Sequence, residues 1–313
     1  ALGAATLRRL REDAALLGGV GATFDRGAFL RGALTPVLFG SALTGAGVGP
    51  LLDALGALAP PPGPRESDRG PVRPDTDAFS GFVFKIQANM DPRHHDRVAF
   101  LRVCSGRFRR DMVVHHARLG RTMRATRPQR LFARERATVE EAFPGDIVGL
   151  GNAGLLAIGD TLSEGAPRRF AAIPPFPPEH FALLRNGDVA KQKQFRRGLS
   201  QLEDEGAIQV WYAGDQRREP ILAAVGALQF DVVVARLASE YGVAAALEPL
   251  PHTAARRAAG PAPLVAGLQL SPATALRAVD RADRPVLIFT SDAAVRIAER
   301  DNPGVTFASL GAP

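Results

Sequence analysis

Phe79-Ser80-Gly81-Phe82-Val83-Phe84-Lys85-Ile86 marks the point where the periodicity of the chain changes. Before it, apolar residues recur at helical spacing: Leu7, Leu10, Ala14 and Leu17 form one stripe, which predicts a helix from Ala4 to Leu17 stopped by Gly18 and Gly19. From Phe79 on, short strand-like runs take over at Val98–Val103, Met112–His115, Val139–Phe143, Ile147–Leu150 and Leu155–Ile158. Ser105-Gly106, Pro144-Gly145-Asp146 and Gly159-Asp160 punctuate them as turns. Short strands without helical period predict a closed barrel of about 90 residues.

Upstream, Phe24–Gly32 reads as a short helix and Pro36–Gly40 as a buried parallel strand. Pro50–Leu58 reads as a helix with proline in its first turn. Six prolines between Ala59 and Pro74 predict an interdomain linker. Downstream, a helix is expected over Val189–Glu205 and another over Phe230–Tyr241, with strands at Ile208–Ala213, Ile221–Leu228 and Val243–Leu247. Beyond Arg256 the pattern is harder to read: a strand at Val286–Phe289, a helix at Asp292–Arg300 and a strand at Val305–Ala308. The fold class is therefore multi-domain α/β plus β. The divisions expected are 1–60 (tail of an α/β unit), 61–76 (linker), 77–168 (barrel) and 169–313 (α/β domain).

With 313 residues, 46% of them hydrophobic, the chain can build two or three cores. Its net charge of +7 favours polyanions. That signal is discounted, because only Lys85, Lys191 and Lys193 of the 39 basic residues are lysine, an arginine bias typical of GC-rich coding. The single cysteine, Cys104, excludes an internal disulfide and fits a reducing cytosol. No apolar run reaches the roughly 20 residues needed to span a bilayer. No secretory signal is evident, and the absence of an initiator Met suggests a fragment.

There is no GxxxxGK[ST] phosphate loop, and no lysine precedes Lys85. His94-His95 and His115-His116 lack the cysteine partners and spacing of a zinc site. His94 and His95 belong to a polar loop with Arg93, either solvated or touching RNA. Glu140-Glu141 and Glu203-Asp204-Glu205 read as solvated faces. No nucleophile has a helper nearby in sequence, so no catalytic residue is assigned.

Several stretches resemble one known family. Phe39-Gly40-Ser41-Ala42-Leu43 followed by Gly47-Val48 resembles the last guanine-recognition motif of translational GTPases. Phe84-Lys85-Ile86-Gln87-Ala88-Asn89-Met90-Asp91-Pro92 resembles the start of the second domain of the release factor 3 family. Gln192-Lys193-Gln194 and Leu228-Gln229-Phe230-Asp231-Val232-Val233 resemble its third domain. Pro144–Leu150 and Ile158–Leu162 are shared with elongation factors.

The resemblance implies a cytoplasmic, monomeric translation termination factor, a GTPase that uses GTP/GDP and Mg to release codon-reading release factors from the ribosome. It implies nucleotide contacts at Ser41, Ala42 and Leu43, with the Ala42 N–H meeting the guanine oxygen. It also implies binding to the ribosome (rRNA and proteins). The candidate contacts are Lys85, Lys191 and Lys193, singled out because lysine is rare in this arginine-rich chain, and Arg93, His94 and His95 of the polar loop. The phosphate loop, the switch regions and the Asn-Lys-x-Asp motif are not in these 313 residues. The expectation is a carboxyl-terminal fragment that alone holds no nucleotide or metal and is inactive as a hydrolase. The alternatives are a non-enzymatic ribosome- or RNA-binding module, or an elongation factor G relative.

Overall fold

The structure is a computed structural model. It describes residues 3–21, 23–88, 97–132, 135–151, 154–171, 173, 176–213 and 219–310. The chain forms two compact units, Ala1–Gly63 and Pro64–Pro313.

In the first unit, α1 (Ala4–Val20) passes through Gly18 and Gly19, which were expected to stop it after Leu17. The Asp25 carboxylate accepts a hydrogen bond from the Ala28 N–H and caps α2 (Arg26–Leu30), and α3 spans Val48–Leu58. The strand expected at Pro36–Gly40 does not form. A parallel strand needs a neighbour to receive its ladder, and no described segment of this unit is a strand. Phe39 is consequently 91% exposed.

The second unit begins with β1 (Ser80–Ala88), β2 (Arg97–Ser105), β3 (Phe108–Arg109), β4 (Val113–His116) and β5 (Arg121–Arg124). It continues through β6 (Pro128–Phe132), β7 (Glu135–Thr138), β8 (Glu141–Ala142), β9 (Ile147–Gly151) and β10 (Thr161–Ser163). Eight of these make one antiparallel sheet ordered β5-β4-β10-β1-β2-β9-β6-β7, and β3 pairs with β8. Alternate residues, among them Val83, Leu101, Val148 and Leu162, share one core with Phe79 and Phe108.

Leu155–Ile158 is a strap rather than the expected strand. Asp160 Oδ2 accepts from Ala157 N at 2.7 Å, and the backbone at Gly159 and Asp160 exchanges hydrogen bonds with Val83. The proline-rich stretch is only partly free. Val72 is buried with Phe82 and Phe170, and the Arg65 guanidinium lies 3.8 Å from the centre of the Phe82 ring.

The carboxyl-terminal sheet starts with β11 (His180–Asn186), a 3-10 turn (Val189–Lys191), α4 (Gln192–Asp204), β12 (Gln209–Ala213) and β13 (Pro220–Ala224). Then come α5 (Leu228–Tyr241), β14 (Ala245–Pro249), β15 (Ala254–Ala259), α6 (Ala262–Ala266), β16 (Ala275–Val279), β17 (Pro285–Phe289), α7 (Asp292–Asp301) and β18 (Thr306–Ser309). The sheet is antiparallel, ordered β14-β11-β13-β12-β16-β17-β15-β18.

Side-chain alternation builds two layers on this sheet. Leu184, Val210 and Leu222 pack under α4 and α5, through Phe195, Leu199 and Leu237. Their neighbours Phe181, Trp211 and Ile221 point the other way and join Ala255, Val286 and Ile288 in a shared core. The strand expected to reach Leu228 ends at Ala224. Gly226 N donates to Gln229 Oε1 at 2.9 Å, and the chain turns into α5.

Candidate functional site

The loop between Phe39 and α3 is tight. Ser41 N donates to Ala46 O at 2.8 Å, and Gly47 has φ +76°. A Cβ at Gly47 would sit 2.3 Å from the Phe39 carbonyl oxygen, so only glycine fits. This turn presents Ala42 and Leu43 to solvent, with Leu43 97% exposed. The Ala42 N–H has no hydrogen-bond partner among the described residues. The loop therefore offers a free backbone donor suited to a base edge. It offers nothing suited to a triphosphate, since the sequence before Lys85 holds neither a lysine nor a phosphate loop.

The other predicted residues lie in the second unit. Lys85 is exposed on β1 with its ammonium 5.5 Å from the Phe100 ring centre. Arg93, His94 and His95 lie outside the described residues. Lys191 is committed internally: its Nζ donates to the Gly242 carbonyl at 2.7 Å, where α5 ends. There it satisfies a carbonyl left open by the helix and meets the negative end of the helix dipole. Lys193 is exposed on the first turn of α4. Ala88, near Lys85, instead contacts Glu205 at the opposite end of α4, roughly 18 Å from Lys193 along the helix. The structure therefore does not gather the lysines into one patch.

It does assemble a cluster that the sequence reading treated as solvated. Arg97 on β2 donates to Asp204 Oδ2 at 2.7 Å, and Arg281 pairs with the same carboxylate. Glu205 accepts from Ala88 N at 2.9 Å and from Arg236 Nη1 at 2.6 Å. Hydrogen bonds to Glu205, then to Glu240, hold the Arg236 guanidinium above its ordinary pKa against burial. Glu203 accepts from Val210 N at 3.1 Å, and burial pushes its carboxyl up.

Arg97, Glu203, Asp204, Glu205 and Arg281 border an open cleft of about 790 Å³, whose apolar wall includes Phe84, Ile158 and Phe176. The clue in the sequence was three acids at a helix carboxyl end, where the dipole disfavours them unless cations answer. A second hub is Asp160, which takes two hydrogen bonds from Arg118, at 2.7 and 2.9 Å, and lies 3.0 Å from His116 Nε2. Among the described residues no group of three or more His, Cys, Asp or Glu could hold a metal. No described helix is long and apolar enough to cross a membrane.

Comparison with known proteins matches residues 78–165 to elongation factor G domain 2, and residues 170–299 to the carboxyl-terminal domain of class II release factor RF3. Peptide chain release factor 3 of Synechococcus elongatus is 48% identical over 306 residues, covering 97% of this chain and 55% of that protein. The chain belongs to the release factor 3 family. The family member from Gloeobacter violaceus is 56% identical over 252 residues, covering 80% of this chain and 48% of its own. That from Microcystis aeruginosa is 48% identical over 304 residues, covering 96% and 56%. The chain thus spans about half the length of the curated release factor 3 relatives it matches. A crystal structure of a protein from Thermus thermophilus shares the fold, with TM-score 0.55 and 24% identity over 75% of this chain and 34% of that one.

Proposed function

We propose that this chain supplies the ribosome-engaging part of a translation termination factor, a GTP-dependent protein that frees codon-reading release factors from the ribosome in the cytoplasm. The observation that carries this reading is the 48% identity to peptide chain release factor 3 across 97% of the chain. On this reading residues 1–60 are the last part of a GTPase domain, 61–76 a linker, 77–168 the barrel domain and 169–313 the third domain. Ser41, Ala42 and Leu43 face the guanine of GTP or GDP, and Lys85, Arg93, His94, His95 and Lys193 approach the ribosome. Lys191 acts chiefly through the end of α5.

These 313 residues do not hold the nucleotide by themselves. A net hydrogen bond contributes about 1 kcal/mol, whereas micromolar affinity needs about 8 kcal/mol. One or two base contacts fall far short, so calorimetry with GTP or GDP should show no micromolar binding. Ribosome pelleting tests the proposal as a whole. Cosedimentation should weaken as salt rises from about 50 to about 200 mM. A chain that stays in the supernatant at both concentrations overturns it.

A further inference from the structure

The charges of α4 run against its dipole. The positive end of a helix dipole lies at the amino terminus, where cations are disfavoured, and the negative end lies at the carboxyl terminus, where anions are disfavoured. Yet Lys193, Arg196 and Arg197 occupy the first two turns of α4, and Glu203, Asp204 and Glu205 occupy its end. There is no acidic residue in the first turn and no basic one in the last.

The acidic end is explained inside the molecule, because Arg97, Arg236 and Arg281 answer Asp204 and Glu205, and Glu203 accepts from the Val210 N–H. The basic end has no such explanation. Lys193, Arg196 and Arg197 are exposed, and their side chains make no ion pair or hydrogen bond among the described residues. The nearby acids are already engaged. Asp188 caps the 3-10 turn beside Lys191, Glu219 and Glu248 face Arg185, and Glu240 faces Arg236. Spacings of three and four place Lys193, Arg196 and Arg197 on one face, about 5–6 Å apart between neighbouring Cβ atoms. The opposite face, Phe195, Leu199 and Leu202, is locked into the core, so the cations sit on a fixed platform.

We propose that Lys193, Arg196 and Arg197 form a phosphate-binding stripe that takes the backbone of RNA. An unopposed row of cations on a rigid helix suits a polyanion, and arginine suits phosphate through its planar fork of donors. The stripe deepens the ribosome-binding reading, on which its biological setting rests. Its partner is the sugar-phosphate backbone rather than an acidic protein surface.

The test uses the full chain and a labelled double-stranded RNA hairpin, with affinity measured by fluorescence anisotropy between about 50 and about 200 mM salt. The triple variant Lys193→Ala/Arg196→Ala/Arg197→Ala should bind about tenfold more weakly at the lower salt. It should also flatten the slope of log K against log salt by about 2.7, three contacts at about 0.9 each. Lys193→Arg should bind like the parent, and so should Arg296→Ala/Arg300→Ala, which removes two exposed cations from α7. Because the three cations oppose the helix dipole, the triple variant should melt at the same temperature or higher.

Unchanged RNA affinity in the triple variant overturns the proposal, and so does a parent chain that ignores RNA at the lower salt. A lower melting temperature would also overturn it, by showing that the cations serve the fold. If the triple variant loses ribosome cosedimentation while its RNA affinity is unchanged, the partner is a protein surface and the RNA assignment fails. Stripe-dependent RNA binding without cosedimentation would instead sink the termination-factor reading and leave the stripe standing.

Discussion

Gly198→Ala sets two known effects against each other in the middle of α4. Alanine is the better helix former, by about 1 kcal/mol. The position, however, faces α5 at close range: a Cβ there would lie 2.7 Å from Leu237 Cδ2 and 2.9 Å from Tyr241 Cγ. Ordinary carbon contacts are about 3.5–4.0 Å. Leu237 is fully buried, and the Tyr241 hydroxyl is tied to Gln201 Oε1, so neither can step aside freely. Overpacking of this kind costs about 1–3 kcal/mol. The net is a loss of about 1 kcal/mol, which is about 0.5 M in urea midpoint for a slope of about 2 kcal/mol/M. Trp211, the only tryptophan, is 2% exposed in the core beneath the same sheet, so its fluorescence reports this unfolding directly. A midpoint that stays put or rises would refute the packing argument and show that α4 and α5 separate without strain.

Gly106→Ala should be costlier. Its φ is +64°, and a Cβ would fall 2.5 Å from Phe79 N, so about 3 kcal/mol should be lost from the barrel, read by far-ultraviolet circular dichroism in urea. Burial, reinforced by the Arg118 charge and only partly offset by Asp160, holds His116 below its ordinary pKa of 6.5. Its neutral form is thus favoured in the folded state. The stability it contributes is full above its ordinary pKa and is lost as pH falls through the lower folded value. Urea midpoints should fall from about pH 7 to about pH 5, and His116→Asn should shrink that fall, with the partly buried His252, also held below its ordinary value by desolvation, supplying part of the remainder. Arg97→Ala should remove about 1 kcal/mol of coupling between β2 and α4, discounted for partial exposure. Trp211 fluorescence and circular dichroism transitions should then separate, and transitions that still coincide would count against the coupling.

Much of the architecture was legible because side-chain period and turn chemistry agreed. Phe79–Ile86 lies within β1 and its approach, and Pro144-Gly145-Asp146 turns where expected, with Phe143 N donating to the Asp146 carboxylate. Ala254–Ala259 was not legible. The run Ala-Ala-Arg-Arg-Ala-Ala has no strand signature, and it becomes β15 because β17 and β18 pair with it on either side. Pro36–Gly40 misled in the opposite direction, since its apolar run implied sheet neighbours that the described residues do not supply. At the candidate site, Ser41–Leu43 could be found only by resemblance. Lys191 was singled out for its rarity, yet its role is a helix cap. The partners of Asp204 and Glu205 lie far away in sequence at Arg97, Arg236 and Arg281, so spacing alone could not reveal them.

The reversed charges of α4 also bear on how the molecule assembles. An isolated peptide of this segment would have its local electrostatics working against the first turn, where initiation is already unfavourable, and should be largely coil in water. The helix then depends on the sheet and on α5 to exist at all. It should consolidate after the folding barrier, with substitutions on its surface accelerating unfolding far more than they slow refolding.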